Sequence, residues 1–323
     1  MRPTAPAALL GLALLAAPAL AQAQELPSSA LAVRQGRAWR TWWHAETAPE
    51  RWAAALPTVA SAARWRRAAP GVEWAELRLS GSGEAWRLRV VLVRLEPRAL
   101  RLRLVRATRD EGTRGAWALE SSAAEALVAL NAGQFEGSRP WGWVVRRGQE
   151  EQAPGFGPLS MALVVDAAGA ARLVPADRIA AVRAAGGVVE AFQSYPALLD
   201  GDGVVPPPLR APGRGVDVGH RDARLAIGQL RDGRLLLALT RFEGLGGALA
   251  VLPFGPTGPE MAALMGALGC ARAVLLDGGI SGQLRLRSAR GELHDWPGLR
   301  RVPLALEVLP AALARAAQGG GGR

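Results

Sequence analysis

The chain has 323 residues, half of them hydrophobic, which allows one large domain or two modest ones with a sizeable core and excludes marginal folding. Its formal net charge is +11, and with no Lys anywhere every basic residue is an Arg. A single cysteine, Cys270, excludes an intrachain disulfide and suits a core position, while His44, His220 and His294 are too few and too scattered for a convincing metal site. The arginines alternate with apolar residues in stretches such as Leu100-Arg101-Leu102-Arg103-Leu104, the pattern of a solvated strand face. Either coding bias accounts for them, or the positive surface attracts anionic polymers such as phosphate-bearing glycans; a nucleic-acid partner is not expected.

In chain order, residues 1–23 have the form of a cleaved signal peptide: Arg2, an apolar run from Ala7 to Leu20, and small-residue cleavage options ending at Ala21 or Ala23. The run is shorter than the roughly 20 residues that span a bilayer and does not recur, so a periplasmic or secreted protein without an integral membrane segment is expected. Residues 24–69 form a Trp- and Arg-rich arm in which Trp39, Trp42 and Trp43 share helical spacing, predicting a helix docked on the main domain. Strand texture begins at Pro70-Gly71 and opens a domain over 70–310, followed by a flexible glycine-rich tail over 311–323.

Within that domain, Leu88 to Leu92 and Leu100 to Leu104 alternate as strands, and Ser122-Ala123-Ala124-Glu125 has capping-box spacing ahead of Leu127 to Leu130. Ala162 to Asp166 turns at Ala167-Ala168-Gly169 and returns through Val174, and Val188 to Phe192 leads into Gln193. Asp200-Gly201-Asp202-Gly203 is a loop too poor in further oxygen ligands for calcium. Leu225 to Gly228 opens a hairpin that turns at Asp232-Gly233. Thr257-Gly258-Pro259-Glu260 caps a helix that stops at Gly269.

The apolar strand that follows ends in Asp277-Gly278-Gly279. Glycines there let the backbone approach a ligand, so Asp277 is a candidate functional carboxylate, although an ordinary hairpin uses the same residues. Together these elements predict an α+β or α/β fold: a mixed β-sheet domain with a few flanking helices and a site at strand ends, where open α/β sheets collect ligands.

Asn131-Ala132-Gly133-Gln134-Phe135, Gln193 with Pro196, Arg224 to Gly228, and Leu276-Asp277-Gly278-Gly279 with Ser281 occur in the order and approximate spacing of the phosphodiester glycosidase family, which the chain resembles over about residues 70–309. Ser194-Tyr195, Leu225 and Leu275 depart from the family's usual residues. The resemblance implies an exported hydrolase that cleaves a sugar-1-phosphodiester such as an N-acetylglucosaminyl phosphodiester in an envelope glycan or exopolysaccharide, with no metal or cofactor. The alternative is a non-catalytic protein that binds anionic glycans or assists exopolysaccharide assembly.

On that basis Asp277 is the catalytic carboxylate, Arg224 the phosphate ligand by paired guanidinium bonds, and Asn131 a polar partner of the sugar. Gly133, Gln134, Phe135, Gln193, Gly278, Gly279 and Ser281 line the substrate site. Glu136 is a reserve second carboxylate. His220, near Asp222, is either an acid–base group or a solvated loop histidine.

Overall fold

The structure, a computed structural model, describes residues 29–107, 116–244 and 251–311. The expected signal peptide, and the expected tail beyond residue 311, lie outside the described residues. No helix among the described residues is long and apolar enough to cross a membrane.

The fold is α+β and its strand pairings are antiparallel. A large sheet runs in the order Ala197–Leu199, Cys270–Leu276, Leu225–Leu230, Leu235–Phe242, Leu88–Leu95, Val72–Gly81, Ala30–Gln35 and Ala38–His44, with Arg66–Ala69 added beside Val72–Gly81. Alternation sends Val91, Val93 and Leu95 to one face of it and Leu88, Val90 and Leu92 to the other.

The first face meets two five-stranded sheets in one shared core. One of them is built around Val128–Asn131, Leu284–Arg287 and Leu304–Pro310, the other around Met161–Asp166 and Val188–Ser194. The second face is covered by the helix Gly258–Ala267, which is buried on nearly every side, as its almost wholly apolar sequence requires. Its capping box forms as the sequence predicts, with Thr257 and Glu260 exchanging bonds between side chains and backbone. Cys270 is fully buried, and burial pushes its thiol well above the ordinary range.

Three expectations need correction. The tryptophan-rich segment is not helical: Trp39, Trp42 and Trp43 lie in the strand Ala38–His44, which pairs with Ala30–Gln35 and joins the large sheet. The register shifts between Leu31 and Ala32, leaving Trp42 as an extra residue opposite them. Trp42 and Trp43 therefore both reach the second core, and their spacing imitates a helix. Ser122 caps nothing, because its hydroxyl donates backwards to Leu119 O at 2.6 Å. With no parallel strands among the described residues, the rule that places ligands at strand ends of open α/β sheets does not govern this site.

Candidate functional site

Asp277 directly follows the strand Cys270–Leu276, and the residues after it carry the chain from the large sheet into Leu284–Arg287 of a smaller one. The crossing is tight because it is pressed against Asp222 and Ala223. A Cβ on Gly278 would stand 2.3 Å from Ala223 O, and one on Gly279, whose φ is +53°, would stand 2.8 Å from Asp222 Oδ2. Only glycine fits at either place. The Gly279 N–H donates to Ala223 O at 2.7 Å, and the Asp277 N–H to Gly133 O at 3.0 Å.

Asn131 spans the turn. Its Nδ2 donates to Asp277 O at 2.7 Å, and its Oδ1 accepts the Gln283 N–H at 3.0 Å. It is fully buried, so its amide braces the turn and is not presented to a sugar. Gln193 is likewise committed: its Oε1 accepts the N–H groups of Trp143 (3.1 Å) and Gly155 (3.0 Å) beneath the surface. Both amides are positioning groups, which corrects the expectation that they face substrate.

Arg224 is opposite Asp277 by register, since Leu225 pairs with Leu276. Its guanidinium turns elsewhere, donating from Nε to Pro256 O (3.0 Å) and from Nη2 to His220 O (2.5 Å). Burial lowers its pKa, while the nearby charges of Asp222, Asp217 and Glu260 act to raise it. Two of its donor positions thus hold a loop in place, and the paired grip on phosphate expected of it is not preformed.

The groups that do converge on Asp277 are Ser281, Arg300 and Asp222. Burial raises the Asp277 pKa; a hydrogen bond from the Ser281 hydroxyl and the Arg300 charge oppose that rise, and the Asp222 charge adds to it. Arg300 is exposed and lies 5.7 Å over the Phe135 ring, which puts Phe135 beside the site. Gln134, on the opposite face of that short hairpin, donates to Tyr195 O at 3.0 Å, and Tyr195 meets Trp141 edge-on at 5.2 Å. Glu136 is exposed and opposite Arg139 at the hairpin tip, with no interaction that ties it to Asp277.

Asp222 was not among the residues singled out from sequence. Its Oδ1 is buried with no hydrogen-bond partner among the described residues, and burial raises its pKa against the pull of Arg224 and His220. His220 Nε2 stands 3.6 Å from Asp222 Oδ2 with over half its side chain exposed. The segment is pinned by Arg221, whose Nη1 and Nη2 donate to the fully buried Glu260 at 2.8 and 2.9 Å.

The charge cluster His220-Arg221-Asp222-Ala223-Arg224 at the start of a strand was the available signal for Asp222. Arg300 had none, being a loop arginine among many. His44 ends its strand on the surface and His294 lies against Trp74 and Trp296, so the three histidines occupy separate places.

What the arrangement can do chemically is clear in outline. Two desolvated carboxylates face one glycine turn, one with a hydroxyl and an exposed cation, the other with a histidine. That is a setting for charge stabilisation and proton transfer.

Residues 124–309 match the sequence profile of the family described as phosphodiester glycosidase. No curated protein sequence matches the chain. Among solved structures, the zebrafish N-acetylglucosamine-1-phosphodiester alpha-N-acetylglucosaminidase catalytic domain, auto-inhibited by its pro-peptide, superposes with a TM-score of 0.56 at 17% identity, over 81% of this chain and 96% of that one. That likeness is one of fold. A hypothetical protein from Synechocystis gives a TM-score of 0.48 at 19% identity, over 74% of this chain and 62% of that one, so this chain spans less than two thirds of that structure. A putative exported protein from Burkholderia pseudomallei gives 0.48 at 16% identity, over 72% and 76%.

Proposed function

The chain belongs to the phosphodiester glycosidase family, and from that premise we propose that it is an exported hydrolase that cleaves a sugar-1-phosphodiester bond in an envelope or extracellular glycan. The observation that carries this reading is the Asp277 carboxylate, held on a braced glycine turn with the Ser281 hydroxyl, the Arg300 cation and a second carboxylate around it.

A phosphodiester is a weak base and leaves the anomeric carbon with little protonation, so the site needs a cation for the departing phosphate more than a strong acid. Arg300 fills that role in place of Arg224, because it is exposed beside Asp277 and makes no hydrogen bond or ion pair through its guanidinium among the described residues. Asp277 supports the oxocarbenium-like centre, where preorganised charge is worth more than in water. Asp222, with an unpartnered oxygen and His220 beside it, receives the proton of the attacking water. Phe135, beneath the Arg300 guanidinium, provides apolar surface for the sugar. The apolar N-terminal run of the sequence supports export.

The purified protein should release free sugar from an N-acetylglucosamine-1-phosphate methyl ester and leave the corresponding simple methyl glycoside intact, as followed by NMR. Equal cleavage of both would point to a conventional glycosidase. Binding without cleavage of either would favour the glycan-binding alternative.

A further inference from the structure

Away from the catalytic turn, one face of the large sheet changes character along its strands. Val72, Val91, Val93 and Leu95 point into the shared core, but further along the same strands that face presents Arg78 and Arg89. These two are directly opposite one another, an arrangement of like charges that by itself destabilises a sheet. Glu243 is clamped between them, at 2.9 Å from each, and offsets only part of the charge. Arg34 comes level with Arg78 on the next strand, one residue past the Val33–Leu79 pair, and its own cross-strand partner is Trp39.

Two grooves open on this end of the face among the described residues and share Arg34 and Arg78. One, of about 750 Å³, adds Arg37, Arg87, Trp39 and Trp86. The other, of about 580 Å³, adds Arg64 and Ser61. Arg37 and Arg64 have no acidic partner among the described residues, and Glu76 and Glu243 are the only acids lining the two grooves. Trp39 and Trp86 are 45% and 50% exposed, uncommon for the largest apolar side chain, and Arg87 lies 5.4 Å over the Trp86 ring.

We propose that these joined grooves bind an anionic polysaccharide, the arginines holding its phosphates and the two tryptophans stacking on its sugar faces. Indole rings favour the apolar face of a pyranose, and guanidinium groups pair with phosphate oxygens in a fixed fork. The size of the grooves suits several residues of a chain better than one small anion. Their position also favours a glycan over a nucleic acid, because packed side chains connect them to the candidate active site. Trp86 packs edge-on against Phe242 (5.7 Å), and Phe242 against Phe254 (5.4 Å). Pro253 O then accepts the N–H of Ala223, which carries the glycine turn. Gly83, in the short helical turn that Trp86 closes, abuts the Arg221 side chain. A polymer carrying sugar-1-phosphodiesters is polyanionic along its length, so the proposal deepens the functional reading by naming a distal subsite for such a chain, and in that part it rests on that reading.

The test uses the full chain carrying Asp277→Asn, so that binding is read without turnover, with phosphomannan as the probe. Saturable binding is expected, weakening by about tenfold or more between ~50 and ~300 mM NaCl as screening tightens. Arg37→Ala with Arg64→Ala, both exposed and without acidic partners, should weaken it by roughly fivefold to tenfold, and Trp39→Ala by about threefold, in line with the modest worth of single exposed contacts. Neutral dextran should not bind. Unchanged affinity in the double-arginine variant, salt-independent binding, dextran binding as tightly as phosphomannan, or tighter hold on single-stranded DNA would each overturn the proposal. None of those results bears on cleavage of a small sugar-1-phosphodiester, so the two readings fail separately.

Discussion

Glu260 and Asp222 lie on either side of Arg221, and the contrast between them separates scaffold from chemistry. Glu260 is fully buried and fully partnered: it takes both ends of the Arg221 fork, the Ser29 hydroxyl and the Thr257 N–H. Asp222, one residue along the chain from Arg221, is partly buried, with an orphan Oδ1 and, besides the Ala223 N–H, only a loosely placed histidine. A buried carboxylate with its lone pairs engaged holds elements together. One left short of partners is poised to take up a proton, and a fold tolerates that cost chiefly where it is used. Asp277 belongs with Asp222 in this respect, since burial raises both.

The strongest way to break the comparison is to remove the partner of the satisfied acid. Arg221→Ala leaves Glu260 buried and unpaired, and should cost on the order of 3–5 kcal/mol of stability, read as a fall in urea midpoint. An unchanged midpoint would mean that the fork is not structural.

Asp222→Asn should do the opposite, sparing stability while lowering kcat/KM by about 10²-fold, the usual range for a lost proton-transfer group. As the base that takes the proton of the attacking water, Asp222 works ionised, so activity falls as pH drops through a pKa lifted above the ordinary carboxylate range, and the Asn variant loses that acid limb. A rate and pH profile like those of the native protein would place Asp222 with the scaffold.

Glu190 sharpens the contrast as an intermediate case. It accepts the N–H of Leu104 (3.1 Å) and of Arg147 (3.4 Å) but has no ion pair among the described residues, and burial lifts its pKa from 4.5 to about 7. The native chain therefore keeps a proton that the unfolded chain releases above pH 4.5. Its stabilising contribution is complete below that pH and is lost as pH rises through about 7. Between ~pH 5 and ~pH 8 the loss should be up to about 2 kcal/mol, and Glu190→Gln should flatten that slope in denaturant titrations at several pH values.

The strands around the site were legible because alternation is a local signal: the hairpin Leu225–Leu230 with Leu235–Phe242 and the pair Met161–Asp166 with Ala171–Pro175 were both readable residue by residue. The buried helix was legible through Thr257 and Glu260, whose cap needs only four consecutive residues. The helix Ala176–Ala185 escaped because it buries only Ile179 and carries almost no apolar stripe. The tryptophans misled because a one-residue bulge breaks the alternation that identifies a strand.

In the site, sequence order brought the glycine turn and its neighbours to attention but could not say which way a side chain points. Asn131 and Arg224 are next to Asp277 in the backbone, and both spend hydrogen bonds on main-chain groups. The partners that face the carboxylate, Asp222 and Arg300, come from segments about 80 residues apart, and only the packing of two sheets joins them.

The central claim is that the Asp277 carboxylate carries the hydrolysis, and it is tested most directly by comparing sugar release from an N-acetylglucosamine-1-phosphate ester by the native protein and by Asp277→Asn at matched folding, monitored by circular dichroism. The account predicts at least a ~10³-fold loss of kcat with substrate binding retained. Turnover within a few-fold of native in the Asn variant would contradict it.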